Sequence, residues 1–305
     1  MKKNSILQDL VKNKWLYIMF LPVFIWYIVF SYAPMGGMVI AFQKYNIYKG
    51  LMHSPFVGFE NFQRFFQDPY FFRLLRNTIL LNLYGLLWGF PIPIIMALAF
   101  NEIHSKYFKS LTQTISYLPY FISTVVVVSI AVQFLSPTTG LINILLNKLG
   151  LDSVYFLQHP EYFRTILITM GIWQGSGFNA IIYMAALTSI PAEHYEAAIV
   201  DGATKGQQLR HVTLPGLVPT IVIMLIINLG SLLTVGHERI ILMYNPLIYE
   251  TADVLNTYIY RLGFGDQYTD FSYGQAISLF QNVIGFLLVY FSNKISVKLN
   301  ETSLW

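Results

Sequence analysis

Six stretches of the chain, residues 15–40, 78–100, 115–135, 165–190, 217–235 and 273–292, run close to 20 residues or more without a single charge. A helix of about 20 apolar residues crosses the hydrocarbon core of a bilayer. Inside lipid, every backbone polar group must find its partner within the chain. Together these requirements make helices of the stretches. Six such runs buried in a soluble protein would need abundant polar sequence to coat them, yet only 11% of the residues are charged, against about 25% in soluble domains. The expectation is an all-α polytopic membrane protein with six transmembrane helices, its partner on all sides the lipid bilayer.

The first run is too long and too rich in bulky aromatics for the apolar part of a cleaved signal peptide, and it lacks a small-x-small site. It follows Lys2, Lys3, Lys12 and Lys14, which by the positive-inside rule puts its start in the cytoplasm. Six spans then bring both termini there. The 19 Lys and Arg divide almost evenly between the two sides, but the inside segments are shorter and so denser in positive charge. Arg73 and Arg76, beside the second run, oppose this orientation. A net charge of +4 is too small to argue for nucleic acid as a partner. The absence of cysteine excludes disulfides, thiolate metal sites and a Cys nucleophile.

Between the fourth and fifth runs lies a polar stretch, EHYEAAIVDGATKGQQLRHVTLPGL, residues 193–217. The span order puts it in the cytoplasm. Pro191 suits the first turn of a helix, Glu193 and Glu196 favour its positive end, and Ala197 and Ala198 offer a small face for close packing. Gly202 can take the positive φ that ends a helix. Thr204 and Gln207 have capping-box spacing for a second helix, and Pro215 is expected to restart the chain as the fifth span. The local rules predict a helix–turn–helix.

This stretch resembles the EAA loop of permeases from binding-protein-dependent, ATP-binding cassette (ABC) importers. Glu196-Ala197-Ala198 is followed after three residues by Gly202, and Val212-Thr213-Leu214-Pro215 closes the pattern, with Val where the family has Ile. The resemblance implies a type I ABC importer (MetI-like) permease fold. It implies an N-terminal tail, first span and external loop at 1–76, a transmembrane core at 77–293 with the EAA loop at 191–215, and a cytoplasmic tail at 294–305. The coupling contacts to an ATPase would be Glu196, Ala197, Ala198, Gly202, Leu214 and Pro215. The implied partners are a second homologous permease, two ATPase subunits and an extracytoplasmic solute-binding protein, in a bacterial cell membrane.

No G-x-x-x-x-G-K-[ST] string is present to cradle phosphates. His53, His104, His159, His194, His211 and His237 show no paired ligand spacing, and no catalytic constellation is evident. The chain is therefore expected to be a non-catalytic subunit without metal or cofactor, with ATP and Mg on the partner ATPase.

Residues 56–78 resemble the carbohydrate-uptake permeases of the maltose type, through Val57-Gly58, Asn61-Phe62, Asp68-Pro69, Phe72 and Asn77-Thr78. Read physically, the segment is an interfacial amphipathic one with Arg64, Arg73 and Arg76 reaching to water. Residues 31–46 and 245–261 resemble a branch of that family linked to oligosaccharides and polysaccharide fragments. His237-Glu238-Arg239 departs from the branch, where an aromatic and an acid are usual. Polar residues in spans are costly and often functional. Trp173, Gln174, Ser176, Asn179 and Tyr183 in the fourth run, Asn228 and Ser231 in the fifth, and Gln281 and Asn282 in the sixth divide between lining a sugar path and bonding helices together. No charge is evident within the runs, which disfavours a proton- or sodium-coupled carrier. A permease of this fold for peptides, amino acids or phosphate is the alternative; a motor-less channel or enzyme is opposed by the EAA loop.

Overall fold

The structure, a computed structural model, describes residues 6–265 and 269–300. Lys2, Lys3, Asp266 and the end of the tail at 301–305 lie outside them. Among the described residues the fold is helical, with one isolated bridge between Gln43 and Phe56 and no strand. In chain order the helices that matter are α1 (Lys14–Phe42), α2 (Glu60–Gln67), α3 (Phe71–Glu102), α4 (Lys106–Phe121), α5 (Thr124–Phe134), α6 (Pro160–Thr188), α7 (Ala192–Val200), α8 (Lys205–Gly230), α9 (His237–Met243), α10 (Leu255–Phe264) and α11 (Phe271–Asn300).

Four of the six apolar runs lie on helices long and apolar enough to cross a membrane: α1, α3, α8 and α11. The third run differs from expectation. It is two helices, α4 and α5, bent by 98°. Pro119 opens a tight 3-10 turn at Leu118–Phe121, and the Ser123 side chain caps α5 by accepting from the amide of Val126. The fourth run lies on α6, a 29-residue helix in which Gln174, Ser176 and Asn179 dilute the apolar character.

Three of the long helices contain a π segment, and each segment ends two residues before a proline. Ile28–Tyr32 precedes Pro34, Gly85–Gly89 precedes Pro91, and Leu209–Thr213 precedes Pro215. Proline has no N–H to donate, and its ring crowds the carbonyl four residues back; a widened turn absorbs both defects without breaking the helix. Pro215 therefore does not restart a helix. The fifth run belongs to a helix that begins at Lys205, well before the run, and stops at Gly230, short of the expected Val235.

The chain divides into two units, Met1–Asp68 with Leu262–Leu279, and Pro69–Arg261 with Phe280–Trp305. In the first, Asn61 on α2 donates to the carbonyls of Ala41 and Gln43, and Phe42 packs among Phe56, Phe59 and Phe62. The most apolar part of α1 buries none of its residues within this chain, leaving Trp15, Phe20, Phe24, Trp26 and Phe30 outward. In the second unit, α6 packs against α3, α4 and α8. Two apolar clusters meet it. Phe163, Leu167 and Met170 join Leu81, Val127, Val128 and Ile240; Ala180, Tyr183 and Leu187 join Ala97, Phe100 and Leu217. The polar middle of α6 lies between them. Gly177 there meets the backbone of Ser116 so closely that a Cβ would overlap it.

Candidate functional site

The predicted helix–turn–helix is present. Helix α7 spans Ala192–Val200, preceded by Pro191, which caps the helix rather than entering its first turn. Gly202 has φ +75°. Its amide donates to the Ile199 carbonyl and that of Ala203 to Ala198, both 3.0 Å or less, which is the paired closure of a Schellman motif. Thr204 and Gln207 form the capping box: the Thr204 amide donates to the Gln207 side chain, and the Gln207 amide to the Thr204 hydroxyl. Glu196 and Ala197 are exposed, Ala198 is half-buried, and Leu214 and Pro215 are exposed. Ile199 and Val200, 61% and 86% exposed, give the end of α7 an apolar tip. Tyr195 turns the other way, its hydroxyl 3.0 Å from that of Thr213 in the π segment of α8.

A cavity of about 740 Å³ opens between α3, α6 and α8, within the roughly 300–1,000 Å³ of small-molecule sites. Of the residues singled out from sequence, Ser176, Asn179, Tyr183, Asn228 and Ser231 line it. Gln174 does not: it is buried, donates to the Ile122 carbonyl at 2.8 Å, and accepts from Arg239 at 2.6 Å. Trp173 is 49% exposed and is not part of the lining. Gln281 and Asn282 line a second recess of about 310 Å³ with Gly285 and Phe286. Ser231 and Thr234 border both spaces.

The wall between these spaces is an unwound segment, residues 231–236, where α8 has ended. At Gly230 and Gly285 the backbones of α8 and α11 approach closely: a Cβ on Gly285 would lie 2.7 Å from the Gly230 carbonyl oxygen. Unwinding frees backbone groups, and in apolar surroundings they need partners. Asn82 donates to the Leu232 carbonyl, Gln281 to that of Leu233, and the Val235 amide donates to the Asn256 side chain. Asn82, Thr124, Glu238 and Arg239 also line the cavity and were not singled out as lining. Asn82 was within reach of the rule that found Asn179, an amide inside an apolar run. Glu238 and Arg239 lie just beyond the fifth run, so inspection of the runs alone shows no charge.

Most positions of the outer-loop pattern have a structural role, although Phe72 is 78% exposed. Gly58 takes φ +61°, and Asp68 accepts from the Tyr273 hydroxyl at 2.6 Å. Asn77 donates to the carbonyls of Glu250 and Asp253, and Thr78 accepts from the Leu255 amide. All three arginines expected to reach water keep some exposure, and two of them are also paired. Arg64 meets Asp270 at 2.6 Å. Arg73 meets Asp253, which also accepts from Arg261, Tyr244 and Thr257 and is wholly buried. Arg76 is exposed.

Residues 89–302 match the model of the family described as binding-protein-dependent transport system inner membrane component. Over 304 residues the chain is 40% identical to Protein LplB of Bacillus subtilis (strain 168), covering 100% of this chain and 95% of that one. It is 39% identical, over 100% of itself and 94% of the relative, to the polygalacturonan/rhamnogalacturonan transport system permease protein YteP of the same organism. Among solved structures it is similar to a chain of a bacterial ABC transporter involved in the import of the acidic polysaccharide alginate, with TM-score 0.88, 45% identity, and coverage of 97% of this chain and 100% of that chain. A chain of a bacterial alginate ABC transporter in complex with alginate pentasaccharide-bound periplasmic protein gives TM-score 0.89 at 44% identity, over 99% of this chain and 100% of that chain.

Proposed function

This chain belongs to the family of binding-protein-dependent transport system inner membrane components, and from that premise we propose that it is a permease subunit of an ATP-driven importer of oligosaccharides. The observation that carries the reading is likeness along 97% of the chain to a chain of an alginate importer, with a relative named for polygalacturonan/rhamnogalacturonan transport in support. In this reading the chain forms half of the translocation path beside a second permease. Two ATPase subunits work from the cytoplasm, with ATP and Mg held there, and a solute-binding protein delivers the sugar from outside.

Six spans, with both termini cytoplasmic, complete the reading. α1, α3, α8 and α11 supply four, the bent pair α4 and α5 a fifth, and the polar-centred α6 the sixth. Residues 1–76 form the tail, first span and outer loop, 77–293 the transmembrane core with the EAA loop at 191–215, and 294–305 the cytoplasmic tail. Glu196, Ala197, Ala198 and Gly202 shape the face offered to the ATPase, and Leu214 and Pro215 the junction to α8. Closure of the ATPase dimer pulls α7, and α8 follows it through the capping box and the π segment. The cavity residues Asn179, Tyr183 and Asn228 then face the sugar, their amides and ring suited to hydroxyls and C–H faces. Gln174 and Gln281 hold the packing around it. The two packings exchange as rigid bodies, as in other alternating-access devices.

The experiment is uptake of a labelled oligosaccharide into vesicles that carry the assembled complex. Accumulation that requires both ATP and the binding protein is expected. Accumulation of peptides, amino acids or phosphate in its place would overturn the carbohydrate assignment.

A further inference from the structure

Among the described residues that line the cavity, Arg239 is the one cationic side chain, and it sits on a prepared mount. Gln174 fixes it. Its amide nitrogen donates to the Ile122 carbonyl at the bend between α4 and α5, so its oxygen must point the other way, and there it accepts from the Arg239 guanidinium at 2.6 Å. Gly171 lies one turn earlier on the same helix. A Cβ at that position would stand 3.2 Å from the second terminal nitrogen of Arg239, tighter than comfortable packing, so the missing side chain gives the guanidinium room. Among the described residues no carboxylate forms an ion pair with Arg239.

A guanidinium held along one edge by a neutral amide keeps its remaining donors for a ligand. Its planar fork matches a carboxylate with two parallel hydrogen bonds. Asn82, Ser176, Asn179, Asn228 and Ser231 line the same cavity with groups suited to hydroxyls. A charge set in such a place is costly unless it is paired in use. Glu238, the cavity's other charged group, is exposed and makes no hydrogen bond among the described residues. It stands in water, without a mount.

We infer that the cavity selects saccharides bearing carboxylates, and that Arg239, set by Gln174 and Gly171, is the residue that reads the acid group. This rests on the reading of the chain as an oligosaccharide permease.

The test uses the assembled importer in vesicles with its binding protein. The probes are a panel of short uronate oligosaccharides, among them oligogalacturonate and alginate fragments, together with the same chains after reduction of their carboxylates to alcohols. The readout is the ratio of charged to reduced uptake, which a general loss of folding or assembly would leave unchanged. The wild-type complex is expected to favour the charged form. Arg239→Gln is expected to lower the ratio roughly tenfold or more, the scale of one lost charge-assisted contact. Arg239→Lys should recover part of it, and Gln174→Met should lower it with the arginine still in place. Wild-type uptake that prefers the reduced chains, or a ratio that Arg239→Gln leaves unchanged, would overturn the inference and leave oligosaccharide import standing. Failure to move any saccharide, charged or reduced, would overturn the import reading and this inference with it.

Discussion

The hydroxyl of Tyr195 on α7 lies 3.0 Å from that of Thr213 in the π segment of α8. The bond ties the exposed helix that carries Glu196 to the start of a long apolar helix whose far end lines the cavity. Tyr195→Phe removes that bond and little else, at a cost of about 1 kcal/mol. The expected result is an ATPase that still binds but couples poorly, with about fivefold less sugar moved per ATP hydrolysed. Simultaneous measurement of uptake and hydrolysis checks this; an unchanged ratio would show that the bond carries no motion.

Asp253 is the hub of the outer segment. Arg73 reaches it from α3, Arg261 from α10, and Tyr244 and Thr257 complete its shell. Asp253→Asn would leave two partly buried guanidinium groups without their counter-charge. Breaking such a pair from one side costs roughly 3 kcal/mol, the low end of its range because both arginines keep some contact with water. A lower thermal unfolding midpoint in detergent is expected. A midpoint equal to wild type would mean that the cluster is decorative.

The cavity residues separate from the packing residues by experiment. Asn179→Ala, Asn228→Ala and Tyr183→Phe should each reduce uptake two- to roughly tenfold, the range of one lost hydrogen bond, with the complex still assembled. Gln281→Leu should instead lower stability, because the Leu233 carbonyl loses its partner at 2.6 Å. Normal uptake in all three cavity variants would assign those positions to helix packing.

Much of the EAA region was readable because its signals are local. A positive-φ glycine, a Thr–Gln pair at capping distance and a run of helix formers each act within one turn, so Gly202, Thr204 and Gln207 behave as the rules require. The long helices were legible as apolar runs, but their ends were not. Pro215 reads as a restart only if a helix cannot widen around it. The bend after Phe121 depends on a Ser123 cap inside an apolar run, where a straight span reads equally well. The cavity was half legible. Ser176, Asn179 and Asn228 are polar exceptions that a single run reveals, whereas the different fates of Gln174 and Asn179, five residues apart on one helix, depend on which neighbour each meets. The outer-loop pattern was visible as a pattern, and its reason was not, because Asn77 and Asp253 are brought together only by the fold.

Topology is open to direct labelling, since the chain has no native cysteine. Single cysteines at Lys106, Lys205 and Lys298 should resist an impermeant reagent added outside intact cells, and one at Asp152 should react. Reaction at 205 from outside would invert the orientation.

Whether residues 191–215 couple this chain to its motor is decided by co-purification of the ATPase, followed by uptake in vesicles. Glu196 stands exposed on α7, and Gly202 holds the turn at φ +75°, which a β-branched residue adopts only at a cost. Glu196→Lys and Gly202→Val are expected to weaken ATPase retention roughly ten- to hundredfold, as loss of a charge-assisted contact of about 1.5–3 kcal/mol requires. ATP-driven uptake should fall in parallel, with the choice of saccharide unchanged. Normal retention and normal uptake in both variants would contradict the claim and reduce residues 191–215 to a passive connector.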